Sequence, residues 1–211
     1  VTRLEKHVMR YQQLFAALAI RRKLDAGVKS GIIWHTQGSG KTALAFYNVR
    51  NLTDFYAKKK TAVKFYFIVD RLDLLEQAAN EFAMRGLYVR KANSREELMT
   101  DFRSNTVIGN ADGKPEIMVV NIQKFEEDHK KVDLPEAYGI NLIRVFFIDE
   151  AHRGYNPKGS FLANLLDADR DSVKIALTGT PLLKEERASW KVFGDYIDKY
   201  YYDKSIADGY T

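Results

Sequence analysis

Gly31-Ile32-Ile33-Trp34-His35-Thr36-Gln37-Gly38-Ser39-Gly40-Lys41-Thr42 is the stretch that decides the fold of this chain. Ile32 to Trp34 is an apolar run too short for a helix, and it reads as a buried strand. Gly38, Ser39 and Gly40 let the backbone turn tightly and present N–H groups to an anion. After Lys41 and Thr42, the residues Ala43, Leu44, Ala45, Phe46 and Val49 follow the spacing of an amphipathic helix. Strand, glycine loop, Lys-Thr and helix together make a phosphate cradle. Loop amides and the helix N-terminus hold oxygens, Lys41 reaches the terminal phosphates, and the Thr42 hydroxyl sits on Mg²⁺. One position departs from the general pattern G-x-x-x-x-G-K-[ST]: His35 stands where its first glycine would be.

Outward from this loop, strand-like and helical stretches alternate. A helix is predicted over residues 6–26, with Val8, Tyr11, Leu14, Phe15 and Leu18 along one face and Gly27 as its stop. Strands are predicted at Val63–Val69, Glu116–Asn121, Leu142–Ile148 and Val173–Leu177. Helices are expected from Leu72 to Met84, from the capping box Ser94/Glu97 to about Phe102, and near Phe161–Leu166. Glu126–Gly139 reads as a surface loop, and Asp112-Gly113-Lys114 as a lone turn. The tyrosine- and charge-rich tail after Trp190 carries no clear periodicity. Such alternation predicts an α/β fold with a mostly parallel sheet and helices on both faces. One domain over residues 1–211 accounts for it, without internal repeats or low-complexity segments.

Bulk composition narrows the class without choosing a function. The 211 residues are 45% hydrophobic, as in globular proteins. There are no cysteines, which excludes disulfides and thiolate metal sites and suits a reducing, cytoplasmic setting. No run approaches the roughly 20 apolar residues of a membrane span. A net charge of +5 is compatible with a polyanionic partner but does not identify one.

The strongest apolar run, Leu142–Ile148, empties into Asp149-Glu150-Ala151-His152. Asp149 can hold Mg²⁺ together with Thr42, and Glu150 can orient and deprotonate a water. Phosphoryl transfer asks mainly for positioning and charge neutralisation, which this set supplies. A Lys-Thr loop upstream and an acidic strand end downstream therefore point to an ATPase using ATP and Mg²⁺.

With these residues in hand, a family resemblance emerges. His35–Thr42, Asp149-Glu150-Ala151-His152 and Leu177-Thr178-Gly179-Thr180-Pro181 resemble motifs I, II and III of superfamily 2 helicases and translocases. His-Thr-Gln-Gly-Ser-Gly-Lys-Thr and Asp-Glu-Ala-His-Arg153 more narrowly resemble the restriction (motor) subunit of type I restriction–modification enzymes, where a histidine at position 35 is expected. Ile68-Val69-Asp70-Arg71 with Leu74 and Gln77 resembles motif Ia, and Asn121–Phe125 the next nucleic-acid-facing segment. Arg10-Tyr11-Gln12-Gln13 resembles the glutamine motif that reads adenine.

The resemblance implies a RecA-like P-loop domain and a role for each matching residue. Gln13 or Gln12, with Arg10, would read adenine. Thr36, Gln37, Gly38, Ser39, Gly40, Lys41 and Thr42 would bind the nucleotide, with Lys41, Asp149 and Glu150 catalytic and Thr42 and Asp149 on the metal. His152, Thr178, Gly179 and Thr180 would couple nucleotide state to DNA, and Arg71 and Lys124 would approach the DNA backbone. Implied partners are double-stranded DNA and the specificity and modification (methyltransferase) subunits of such a complex. The family's nuclease site and second motor lobe have no recognisable counterpart here, so the chain resembles the first motor lobe of a larger subunit. A strand-separating DNA or RNA helicase lobe is an alternative, and a non-hydrolysing nucleotide-gated binding module is another. Glu150 speaks against the module, which would need no positioned base.

Overall fold

A computed structural model describes residues 7–125, 141–150, 161–180 and 193–209. Seven strands form one sheet in the order β3-β4-β2-β5-β6-β1-β7, and every neighbouring pair is parallel. They are β1 (Ser30–His35), β2 (Ala62–Val69), β3 (Tyr88–Ala92), β4 (Glu116–Asn121), β5 (Leu142–Asp149), β6 (Val173–Thr178) and β7 (Tyr196–Tyr200). Parallel strands need crossovers, and the described helices supply most of them. These are α1 (Tyr11–Asp25), α2 (Lys41–Ala57), α3 (Leu72–Met84), α4 (Arg95–Arg103), α5 (Phe161–Ala168) and the short α6 (Tyr202–Ala207). None of the described helices is long and apolar enough to cross a membrane.

The central strands are apolar on both sides because helices cover both faces of the sheet. Along β2, Phe65, Phe67 and Val69 join the core under α1, α2 and α3, while Tyr66 and Ile68 join the core under α4 and α5. Strand β5 divides likewise: Val145 and Phe147 face one layer, Phe146 and Ile148 the other. Phe125 is core, packed on Phe161 at 5.2 Å between ring centroids. The capping box at Ser94 is half formed: Ser94 Oγ accepts from Glu97 N, but the Glu97 carboxylate accepts from Asn93 N instead.

Helix α1 begins at Tyr11, so residues 7–10 of the predicted 6–26 helix are not helical, and the predicted stripe is not the face that packs. Val8, Tyr11, Leu14, Phe15 and Leu18 are exposed, and the face turned inward carries Gln12, Gln13, Ala16, Ala17, Ile20 and Leu24. Both faces have helical spacing. The small alanines let α1 approach α2 closely, and the buried glutamine Gln13 has a main-chain partner there. Two strands escaped the sequence reading, β3 and β7. Both are short and charged, so neither shows a long apolar run. The Glu126–Gly139 loop, with His129, lies outside the described residues, as do His152 and Pro181.

A buried ionic network ties α4 to the sheet, far from the strand ends that carry the motifs. Lys64 and Arg144 pair in register on β2 and β5 and are 5% and 2% exposed. The Asp101 carboxylate accepts from Tyr66 Oη at 2.7 Å and Arg90 at 2.6 Å, and lies 3.4 Å from the Lys64 ammonium. Arg144 pairs with Asp169 at 2.9 Å and also donates to the Phe102 carbonyl. Burial pulls the Lys64 ammonium below its ordinary range, and the Asp101 charge opposes that. Asp101→Ala leaves this buried cation beside Arg144 without its carboxylate, and is expected to cost about 3–5 kcal/mol. Urea denaturation measures this directly; an unshifted midpoint would mean that the network carries no stability.

Candidate nucleotide site

Because all strands run the same way, their carboxyl ends share one rim, where ligands bind in open α/β sheets. The chain leaves β1 and returns three positions away at β2, and β5 and β6 later fill the gap. Register then aligns the motifs. Ile33 pairs with Leu177, and Leu177 with Asp149, so the phosphate loop, the acidic pair and Thr178 leave the sheet side by side.

The loop ends at Gly40, whose φ of 82° lies in the left-handed region, and α2 starts at Lys41. A Cβ at Gly40 would be strained there and would also overlap the Gln13 amide. Lys41 Nζ donates to the His35 carbonyl at 3.4 Å. Gly38, Gly40, Lys41 and Thr42 line a cleft of about 280 Å³ with Gln37, Asp149 and Glu150. Thr36 and Ser39 are buried beneath the loop, so their hydroxyls do not reach the cleft and their contribution is main chain.

Burial, foremost, pushes the Asp149 carboxyl up to about 6; the Lys41 ammonium opposes this, and the Glu150 and Asp70 charges add to it. A buried carboxylate with two acidic neighbours wants a cation, and Thr42 lines the same cleft. These residues fit Mg²⁺, which prefers one or two carboxylates plus phosphate oxygens and water. Glu150 has φ 47°, an uncommon conformation for a side-chain-bearing residue and the kind of strain found at functional sites. Its N–H donates to Asp149 Oδ1 at 3.1 Å. Gly179 closes the wall: a Cβ there would lie 3.4 Å from Lys41 Nζ and 3.8 Å from Glu150 Oε1. Thr178 Oγ1 and Thr180 bond each other's turn, Oγ1 donating to the Thr180 carbonyl at 2.9 Å.

A second cavity of about 390 Å³ adjoins the loop and shares Gly38 and Gly40 with the first. Arg10 and Gln13 line it, with Tyr47 and Arg85. Gln13 Oε1 accepts from Arg10 N at 2.9 Å, and its Nε2 donates to the Gly40 carbonyl at 3.0 Å. An amide has a second N–H and a further lone pair to offer a purine edge. Gln12 is 2% exposed and lines neither cavity, so the geometry favours Gln13 over Gln12. The exposed His7 also lines this cavity and lies 3.2 Å from Arg85.

Arg71 stands exposed at the end of β2, 3.9 Å from Asp73, and Lys124 follows β4 in a 3₁₀ turn. Arg71 does not line either of the two cavities. Sequence reading missed the tail's part in the site. His35 is 1% exposed and its Nε2 lies 2.7 Å from Asp198 Oδ2 on β7. No local signal announces a partner so distant in sequence.

Comparison with known proteins agrees with this geometry. A family model described as SWI2/SNF2 ATPase matches residues 12–211. The type I restriction enzyme HindI endonuclease subunit of Haemophilus influenzae is 30% identical over 86% of this chain, which spans 18% of that relative. The type I restriction enzyme SauCOLORF180P endonuclease subunit of Staphylococcus aureus is 27% identical over 95% of this chain, spanning 21% of its own length. The solved structure of the ATP-dependent Type ISP restriction-modification enzyme LlaBIII bound to DNA superposes with a TM-score of 0.65 at 12% identity. That match covers 96% of this chain and 16% of LlaBIII. With the family model spanning nearly every residue and the phosphate loop, acidic pair and Gly179 wall in one cleft, the chain belongs to the SWI2/SNF2 ATPase family.

Proposed function

We propose that this chain is the first motor lobe of a type I restriction endonuclease subunit, which hydrolyses ATP to move along double-stranded DNA before cleavage. One observation carries the reading: Lys41, Asp149, Glu150 and Gly179 converge on one cleft, next to a cavity edged by Gln13. Arg10 and Gln13 hold the adenine, and the loop amides with Lys41 hold the phosphates. Thr42 and Asp149 would hold Mg²⁺, which neutralises charge on the phosphate oxygens. Glu150 takes the proton of the attacking water. Gly179 lies against both Lys41 and Glu150, so a change at the terminal phosphate reaches the 178–180 turn directly. That turn, with His152, passes the signal toward DNA contacts at Arg71 and Lys124. The names of the restriction relatives support this assignment, and specificity and modification subunits are the partners that it would imply.

A duplex tracker grips phosphates, whereas a strand separator needs a wedge or an aromatic platform for bases, worth about 1–3 kcal/mol per base. Phe125, the aromatic nearest the proposed DNA-facing segments, is buried in the core, which favours tracking. The full-length protein is therefore expected to displace the third strand of a triplex without unwinding a forked duplex. Its duplex affinity is expected to fall with salt, with a slope of about −0.9 per phosphate neutralised. Unwinding without triplex displacement would favour the helicase instead.

A further inference from the structure

We propose that Asp198 is a positioning residue for nucleotide binding, acting through His35 on the first turn of the phosphate loop. The inference rests on the ATPase reading above and adds to it a residue outside every motif that supports that reading.

The general loop pattern places glycine at the position of His35, where no side chain can anchor the backbone. Here the imidazole is buried, stacked obliquely near the Tyr200 ring at 5.7 Å, and bonded to Asp198 at 2.7 Å. A carboxylate only accepts, so the His35 proton sits on Nε2. The His35 carbonyl, on the same residue, accepts from Lys41 Nζ in turn. Fixing the ring thus fixes the carbonyl against which the phosphate-binding ammonium rests.

Asp198 reaches His35 through a local irregularity. Strand β7 pairs Tyr196 with Ile32 but Asp198 with Ile33, so Ile197 is an extra residue in the ladder. Side chains alternate between faces, and a one-residue slip sends them all to the other side. Without the bulge, Asp198 and Tyr200 would lie on the face opposite His35; with it they share its face, and Ile197, packed against the cluster of Ile33, stays on that face as well. Room for the extra residue comes from Gly31, where any Cβ would collide with the Ile197 side chain.

The same segment also grips the far end of the loop. Thr36 N donates to the Tyr200 carbonyl at 3.2 Å, carrying the ladder one step beyond β1. Tyr200 and Tyr11 hydroxyls both donate to Asp208. Tyr11 opens α1, and Arg10 and Gln13 beside it bond the Gly38 and Gly40 carbonyls at 3.3 and 3.0 Å. Residues 198–208 therefore hold the start of the loop directly and its end through α1.

The test uses the full-length protein and a fluorescent ATP analogue, with KM and kcat for DNA-stimulated hydrolysis and the thermal midpoint. Asp198→Ala is expected to raise Kd and KM by about 10-fold or more, the scale on which a partner that orients a binding group acts. kcat at saturating ATP should change much less. Asp198→Asn keeps an acceptor and should recover most of the loss. The double variant with His35→Ala should be no worse than either single change. A lowered midpoint with parental Kd and KM, or losses that multiply in the double variant, would overturn the proposal. Should Asp198→Ala fail to fold, His35→Ala and Asp198→Asn decide it: parental KM in the former, or a full loss in the latter, overturns it. Lys41→Ala, run alongside, separates the two levels. Turnover surviving Lys41→Ala removes the assignment of the phosphate loop on which this inference rests, whereas a dead Lys41 variant beside a parental Asp198→Ala removes only this inference.

Discussion

Lys41→Ala in the full-length protein is expected to take DNA-stimulated ATP turnover down to background, a fall of about 10²–10³-fold or more. The ammonium is the only cation among the described residues that line the phosphate cleft, and it opposes the buried Asp149 charge. A developing phosphoryl charge would meet loop amides alone once it is gone. The fold should survive. Lys41 is half-buried and bonds a main-chain carbonyl, and the Asp149 carboxyl that its charge opposes is already pushed toward the neutral form by burial, so protonation of Asp149 can meet its removal. Stability should stay within about 0.5 kcal/mol of the parent, as for substitutions away from buried features. Saturating DNA, a coupled phosphate assay and a thermal scan read both halves. Equal turnover in variant and parent would sink the assignment of the loop.

Glu150→Gln should have the opposite signature on binding. The amide keeps the size and the hydrogen-bonding reach of the side chain but cannot take a proton. Single-turnover hydrolysis is expected to slow by about 10²–10⁴-fold while nucleotide affinity stays near the parent value. The left-handed backbone at Glu150 does not complicate the comparison, because glutamine and glutamate bear similar strain there. If affinity drops while the chemical step is unchanged, Glu150 is a binding residue and not the base.

How much of this was legible in sequence depends on how local each signal is. The phosphate loop was readable because its demands are local: glycines for the turn, a lysine for charge, a helix to follow. The acidic pair was readable because an abrupt change from Phe146-Phe147-Ile148 to carboxylates has few structural reasons. Central strands showed themselves through burial on both faces. Strand β3 and strand β7 did not, since each is short and mixes charge with aromatics. The stripe Tyr11, Leu14, Phe15, Leu18 announced a helix but not its orientation, because periodicity reports a face and not which side of the helix meets the core. Gln13 could be named from motif resemblance, whereas its choice over Gln12 needed the cavity. His35 was visible as a departure from pattern, and its partner Asp198 was not, being set by a bulge that only the paired ladder reveals.

The order of the strands has a colloidal consequence. An outermost strand offers a row of unpaired amides and carbonyls on which another chain can build. Of the seven described strands, the two outermost are β3, with Arg90 and Lys91, and β7, with Asp198 and Lys199. Short length and alternating charge make both poor templates for a foreign strand. Gly31-Ile32-Ile33-Trp34, uncharged and partly β-branched, would be an excellent one. Tyr196–Tyr200 lies over it. This aggregation-prone segment, which is also the root of the nucleotide loop, is thus kept off the edge of the sheet by a strand unattractive to strangers.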